Sequence, residues 1–374
     1  MKKIKVIYTG ADNIGYGGRS TIAFNLANSM SMSKIKIDFL ASKKIDSTFE
    51  QSIVSNGGQI VSLGKFSNNK IIRKVQRAWR IIKVLKKNKY DIIHIHADDG
   101  WEAINTTILA KFAGVTKIIV HGHSSGSTDQ SYIKKILISL FRPVMKHSKY
   151  IKFAVTKESA LYMFGTLKNV HIIRNGIHVE KYKYDLDIRN KVRKELKLEN
   201  NYTIGCVARF SAIKNHKFLI DVFKKILVIK KNAKLVLVGG GELFDEIKKY
   251  VDQNNLQSSV LFLGNRKDVN RIMQALDVFV LPSVHEGLGL VNIEAQAAGL
   301  PCIVSNGIPR SAKVLKSFEF LSLEGPTSEW VNEILKYENF KRSNTVKNVI
   351  EAGYDINNSA KEVEELYVKS MSNY

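Results

Sequence analysis

The sequence predicts an α/β protein built from two Rossmann-like, doubly wound domains that face a central cleft. Three observations predict it. Strand-length apolar runs alternate with helical patterns along all 374 residues. The alternation starts a second series after about residue 175. The loops of unusual, glycine-rich composition stand directly after apolar runs. Strands separated by helices form parallel sheets covered on both faces, and ligands of such sheets bind beyond the carboxyl ends of the strands. A chain of this length suits two domains, each able to bury its own core.

In chain order, the first series places strands at 3–9, 35–41, 59–63, 91–96, 117–121 and 150–155, with helices at 19–30, 70–87 and 101–112. The second places strands at 202–207, 234–238, 259–263, 277–281, 301–305 and 318–323, with helices at 217–229, 243–252 and 290–298. Asn175-Gly176 has turn chemistry near the join. We expect a first domain over 1–175, a second over 176–352, and a C-terminal helix within 353–374 that returns to the first domain.

Composition narrows the class. Hydrophobic residues make up 44% and charged residues 25%, and no run approaches the ~20 apolar residues that span a bilayer. The basic, apolar start (Lys2 to Tyr8) runs at once into a glycine-rich turn, so it reads as a first strand and not an export signal. The expected location is therefore the cytoplasm. Cys206 and Cys302 lie in apolar strands and read as buried free thiols. The formal charge is +24, and residues 1–165 carry +17 of it. That imbalance points to an anionic partner for the first half, or to a solvated basic surface.

Four loops carry candidate chemistry. Gly15-Tyr16-Gly17-Gly18, between a first strand and a first helix, lets backbone amides approach a phosphate, although a flexible turn reads equally well. Arg209 and Lys214, directly after the first strand of the second series, can neutralise a diphosphate. Gly239-Gly240-Gly241 again allows close backbone approach to a ligand. In the fourth, Glu286 and Glu294 flank a helix start at Gly289-Leu290, where amides can hold a phosphate. Glu294 can accept hydrogen bonds from the vicinal hydroxyls of a ribose.

The stretch Glu286 to Glu294, continuing through Ala295-Gln296-Ala297-Ala298-Gly299-Leu300-Pro301, resembles the E-x7-E signature of the retaining glycosyltransferases of the GT-B fold. Arg209 and Lys214 match that family's paired cations, Asn175-Gly176-Ile177 its turn near the join, and Gly264 to Val269 its base-contacting segment. The resemblance is dense over residues 170–310 and thinner before. It implies that Arg209 and Lys214 hold the donor diphosphate with backbone amides of Gly287, Leu288, Gly289 and Leu290. It implies further that Glu286 contacts the transferred sugar, Glu294 the ribose and Arg266 the base, with Gly17 and Gly18 close to the phosphates. His123 is similar to the family histidine at the donor–acceptor junction, with His121 as the competing choice. Arg19-Ser20-Thr21 and Arg310 depart from the family pattern where acids are common. Residues 296–302 and 320–324 look most like the capsule and exopolysaccharide branch.

The implied reaction is transfer of a sugar, with retained configuration, from a nucleotide sugar (UDP first) to a glycan or polyprenyl-linked acceptor. The cations stand in for a metal, so neither metal nor cofactor is expected; Asp98-Asp99 after His94-Ile95-His96 is read as a strand end. The segments Lys70–Lys89 and Tyr132–Lys149 interleave cations with apolar residues and suit peripheral contact with an anionic membrane at the inner face of the plasma membrane. A two-domain nucleotide-sugar epimerase is the nearest alternative. A nucleic-acid-binding protein is the remote one, because no recognisable nucleic-acid motif accompanies the charge.

Overall fold

Near-continuous apolar runs, the mark of strands covered on both faces, become two wholly parallel sheets in the structure, a computed structural model of the chain. It describes residues 3–10, 18–42, 45, 47–124, 126 and 132–372, without the side chains of residues 18, 48 and 132–138. The chain divides into two compact units, one of Met1–Gly176 with Ile356–Tyr374 and one of Ile177–Asp355.

Among the described residues, the first unit runs β1 (Ile4–Thr9), α1 (Gly18–Asn28), β2 (Ile35–Ala41), α2 (Ser47–Ser55), β3 (Ile60–Ser62), α3 (Lys70–Asn88), β4 (Ile92–Ala97), α4 (Gly100–Phe112), β5 (Lys117–Gly122), α5 (Tyr132–His147), β6 (Ile151–Ala154), α6 (Lys157–Phe164) and β7 (Val170–Ile172). The sheet order is β3-β2-β1-β4-β5-β6-β7. Side chains alternate across β1. Val6 and Tyr8 enter one core layer with α1 and β2, while Ile7 enters the opposite layer with α3 to α6.

The second unit runs α7 (Leu186–Glu195), β8 (Tyr202–Val207), α8 (His216–Ile229), β9 (Ala233–Val238), α9 (Phe244–Gln253), β10 (Val260–Gly264), α10 (Val269–Ala275), β11 (Val278–Leu281), α11 (Leu290–Ala297), β12 (Cys302–Ser305), β13 (Phe318–Leu321), α12 (Thr327–Leu335) and α13 (Val346–Glu351). Its order is β10-β9-β8-β11-β12-β13. Cys206 and Cys302 are buried and unbonded, and burial pushes the Cys206 thiol up to about 12.

The last helix, α14 (Ile356–Ser372), packs on the first unit. Its Tyr367 hydroxyl lies 2.9 Å from that of Tyr8 and 2.5 Å from His94 Nδ1.

Each sheet reverses its winding once, between β1 and β4 and between β8 and β11. Crossovers leave in opposite directions there, the point at which sheets of this kind open a crevice at the carboxyl edge. Of the loops that follow these strands, 98–99, 208–215 and 282–289 are described throughout. Most of the loop residues singled out by composition lie on them.

Candidate functional site

In the second unit, the switch point brings together residues far apart in sequence. After β8 the chain is held by Ala208 N–H donating to Val238 O (2.9 Å) and Phe210 N–H to Gly240 O (2.9 Å). Phe210 is fully buried and stacks on His216 at 4.2 Å. This anchor fixes the short 3-10 turn Ala212–Lys214. After β11, Val284 N–H donates to Ile213 O (2.7 Å), and Glu286 N–H donates to Gly307 O (3.0 Å).

Those ties place the Lys214 ammonium on Glu286 Oε1, which also accepts from Ser283 Oγ at 2.9 Å. Both members of the pair are mostly buried, with 21% and 11% of their side chains exposed. Arg209 is different. It is 69% exposed and reaches Glu242, with Nη2 at 2.9 Å and Nε at 3.1 Å. Such an exposed pair, screened by solvent, contributes little, so its guanidinium is readily given up to a stronger anion.

Gly239 is a glycine for a close approach. A Cβ there would stand 2.1 Å from Ala208 O, at φ +139. It lets the β9 loop lie against the loop that carries Arg209. Gly289, at φ +65, turns the chain into α11, whose first turn has no side-chain cap. The leading N–H groups of a helix have no intrahelical acceptors. Uncapped, beside Lys214 and Glu286, they form a place for an anion.

Glu294 sits one turn into α11 and is partly buried. Burial pushes its carboxyl up to about 7, partly offset by a hydrogen bond from the Tyr182 hydroxyl. Tyr182 closes the 3-10 turn Val179–Tyr182. Sequence reading missed it; its only signal was one aromatic residue shortly after the Asn175-Gly176 turn. Arg266 lies after the edge strand β10 with both arms on Asp268 (2.8 Å each), so its guanidinium is already neutralised.

In the first unit, Gly17 lies outside the described residues, and Gly18 opens α1. A Cβ on Gly10 would stand 1.9 Å from the His96 carbonyl oxygen, so β1 leaves the sheet pressed against β4. Arg19, beyond Gly18, pairs with Asp98 (2.8 Å) and with Glu102 (2.8 and 3.2 Å). The departure from the family's acid at this point is thus compensated across the switch point.

His123 follows β5, its N–H donating to Ala97 O (3.0 Å) and its Nε2 lying 2.8 Å from His96 Nδ1. His121 is fully buried, with Nδ1 3.2 Å from His94 Nε2. The four histidines form one patch because β4 and β5 run in register, His96 beside His121. Burial drives every one of them well below the ordinary histidine range, His121 to about 3. Ring nitrogens of His94, His96 and His121 lie within 4.8 Å of one another. However, the His94 and His96 rings are stacked, 4.3 Å apart and 15° from parallel, so their lone pairs lie in separate planes instead of meeting at one point.

The basic helix α3 presents the large apolar residues of its first half to solvent. Its buried residues are Ile81 and Leu85, whereas Ile71, Ile72, Val75 and Trp79 are exposed, Trp79 by 60%. The helix reaches the core only with its second half.

Comparison with known proteins agrees with this geometry. Residues 16–181 match the family described as "Glycosyltransferase Family 4", and residues 187–355 match "Glycosyl transferases group 1". The chain is 30% identical over 346 residues to EpsF of Bacillus subtilis, named as a glycosyltransferase, covering 90% of this chain and 88% of that one. It is 29% identical over 325 residues to the UDP-Gal:alpha-D-GlcNAc-diphosphoundecaprenol alpha-1,3-galactosyltransferase of Escherichia coli, covering 82% of each. Among solved structures, Anabaena Alr3699/HepE in complex with UDP shares the fold with a TM-score of 0.78 at 17% identity, over 98% of this chain and 100% of that one.

Proposed function

Given that the chain belongs to the glycosyltransferase family of the GT-B fold, we propose that it transfers a sugar, with retained anomeric configuration, from a UDP-sugar to a glycan or polyprenyl-linked acceptor in surface-polysaccharide synthesis. The observation that carries this is the Lys214–Glu286 pair beside the uncapped start of α11. A buried cation, a buried carboxylate and a row of amides together suit a sugar diphosphate. The amides and Lys214 take the phosphates, and Glu286 takes the sugar hydroxyls. As the glycosidic bond to the donor breaks, negative charge grows on the distal phosphate. Fixed donors aimed at that charge stabilise it without reorganising. Arg209 leaves Glu242 to add a second cation. These cations take the place of a metal. The donor phosphate accepts the acceptor's proton, so no enzymatic nucleophile is required.

Glu294 accepts from the ribose hydroxyls in place of Tyr182. The resemblance gives His123 the place at the junction of donor and acceptor. The E. coli relative's name, with its UDP-linked donor and diphosphoundecaprenol acceptor, supports this class of donor and acceptor. The UDP bound in the Anabaena structure supports the nucleotide. The relatives' names are those of transferases, which leaves the epimerase alternative without support.

A thermal-shift series tests the donor site. UDP at 100 times its Kd should add about 2.7 kcal/mol to the stability of the protein. Glu294→Ala and Arg209→Ala should each abolish the rise. A rise with GDP or ADP species alone would change the nucleotide; none with any nucleotide would remove the reading.

The same reading places the first unit against an anionic membrane. The exposed residues Ile71, Ile72, Val75 and Trp79 alternate with Lys70, Arg73, Lys74 and Arg77, and α3 contains no acid. Each cation near an anionic surface contributes about 1 kcal/mol. Sedimentation with vesicles should show at least roughly tenfold tighter binding when anionic lipid is present. Trp79→Ser with Ile72→Ser should cut it sharply. Equal, weak binding to neutral and anionic vesicles would sink this part.

A further inference from the structure

Helix α11, whose uncapped first turn stands beside Lys214 and Glu286, is eight residues long. At 1.5 Å per residue its two ends are only about 12 Å apart. A helix carries about half a positive charge at its start and half a negative charge at its finish. In a helix this short, the charge at the finish works against the start and weakens its hold on an anion.

The segment Arg342–Thr345 is laid over that finish. Arg342 Nε donates to Ala298 O at 3.1 Å, and its Nη2 donates to the same oxygen. Thr345 Oγ1 donates to Gln296 O at 2.6 Å. A Cβ on Gly299 would stand 2.5 Å from Ser343 O, so the two backbones touch. The remaining arm of Arg342, Nη1, donates to Gln274 O (2.7 Å) and Leu276 O (3.1 Å) at the end of α10. Its guanidinium lies over the Tyr184 ring at 4.3 Å.

Neutral groups therefore hold this cation. Among the described residues no carboxylate pairs with Arg342, and the neighbouring Asp277 is taken by Arg189 and Arg193. Burial pulls its guanidinium down to about 9, which leaves it charged at pH 7.5. Thr345 shows that a hydroxyl suffices to satisfy carbonyls here, so the charge of Arg342 exceeds what capping requires.

We propose that Arg342 is a positioning residue for the donor: it sets a whole positive charge at the carboxyl end of α11, cancels the opposing half of the helix dipole, and so strengthens the hold of the amino end on the diphosphate. This rests on the proposed donor site. Across about 12 Å, at an effective dielectric between about 20 and 80, one unit charge alters the affinity for another by roughly two- to tenfold. The effect should therefore grow with the charge of the ligand, which a purely structural role would not produce.

Titration of the full chain at pH 7.5 with uridine, UMP and UDP reads it, because these carry no phosphate charge, about two and about three negative charges. Arg342→Gln keeps an N–H donor without the charge. Kd should rise about tenfold or more for UDP, less for UMP, and stay within about twofold for uridine. Arg342→Lys keeps the charge and should hold the ratio of uridine to UDP Kd within about threefold of wild type. Thr345→Val removes a neutral cap from the same helix end and should leave that ratio unchanged. An equal loss for all three ligands in Arg342→Gln, or no loss, overturns the proposal, as does a lysine variant that behaves like the glutamine one. If Arg342→Gln does not fold, Arg189→Gln repeats the test. Arg189 donates to the same Gln274 and Leu276 oxygens as Arg342, so both stay bonded while one neighbouring charge is lost. The same graded loss is expected there, and a flat one overturns the proposal. An unaltered chain that binds no nucleotide removes the donor site itself, which is a different result from a flat series among the variants.

Discussion

Lowering the pH from 7.5 to 5.5 is expected to destabilise the first unit by about 5–6 kcal/mol while leaving the second nearly level. His94, His96, His121 and His123 are held neutral by burial, far below their unfolded value near 6.5. Their folded pKa values are depressed, so below 6.5 the unfolded chain binds protons that the folded one refuses. Stability is fully present above 6.5 and is lost as pH falls toward the folded values. Each such histidine loses about 1.4 kcal/mol by pH 5.5, and four lose a sum comparable with a whole domain's stability of 5–15 kcal/mol. The second unit has one strongly shifted counterpart, His216 at about 4, buried against Phe210. Glu294 opposes it. Its carboxyl is raised to about 7, so protonation on acidification favours the folded state by about 1–2 kcal/mol. Calorimetry from pH 8 to 5 should resolve one transition that moves steeply and one that hardly moves. A first-unit transition that stays level to pH 5 would mean that the histidines are not buried neutral.

The second large effect is at the Lys214–Glu286 pair. Lys214→Ala should lower kcat by about 10²–10³, the loss typical of one preorganised contact to developing charge. Glu286→Ala should cost a similar factor, because it removes the sugar contact and also releases the ammonium that Glu286 holds in place. The two losses should not add. With one partner gone the other is mispositioned, and a coupling of about 1–3 kcal/mol between contacting residues is expected from the double variant. Turnover of the two single variants and the double variant with a saturating UDP-sugar measures it. Fully additive losses would show that the pair acts as two separate contacts. Glu286→Gln keeps the shape without the charge, and should fall between wild type and Glu286→Ala.

Much of this architecture was legible because parallel strands leave a plain record. The run Tyr202 to Val207 matches β8 residue for residue, and Ile35 to Ala41 matches β2. Both are covered on two faces and are mainly apolar, with Lys36 and Asp38 the charged exceptions in β2. The edge strand β7 was missed, since its three residues are only half-buried and need little hydrophobicity. The helix α7 was missed for a related reason. It is mostly polar and is held by Arg189 and Arg193 on Asp277, contacts made 84–88 residues away in sequence. At the candidate site, glycines and charges after strands marked the loops, but composition says nothing about what those groups bond to. That Lys214 meets Glu286 and that Arg19 is balanced by Asp98 and Glu102 follow from sheet order, which no local pattern reveals. Tyr182 lay hidden for the same reason. It acts through Glu294, a neighbour that only the fold supplies.

The return of α14 to the first unit has a consequence for biosynthesis. Tyr367 is 359 residues from the Tyr8 hydroxyl it meets, and it also caps His94. The layer formed by Ile356, Ala360, Val363 and Tyr367 is therefore missing until residues 356–367 have been translated. Domains generally fold in order as they leave the ribosome. Here the unit synthesised first is the one that can finish only last. The second unit, continuous over 177–355, emerges whole and can fold while the first still waits with its histidine face uncovered. A nascent chain stalled once residue 355 has emerged would display a complete second unit and an unfinished first one, and chaperones would meet the exposed face of the amino-terminal sheet throughout that interval.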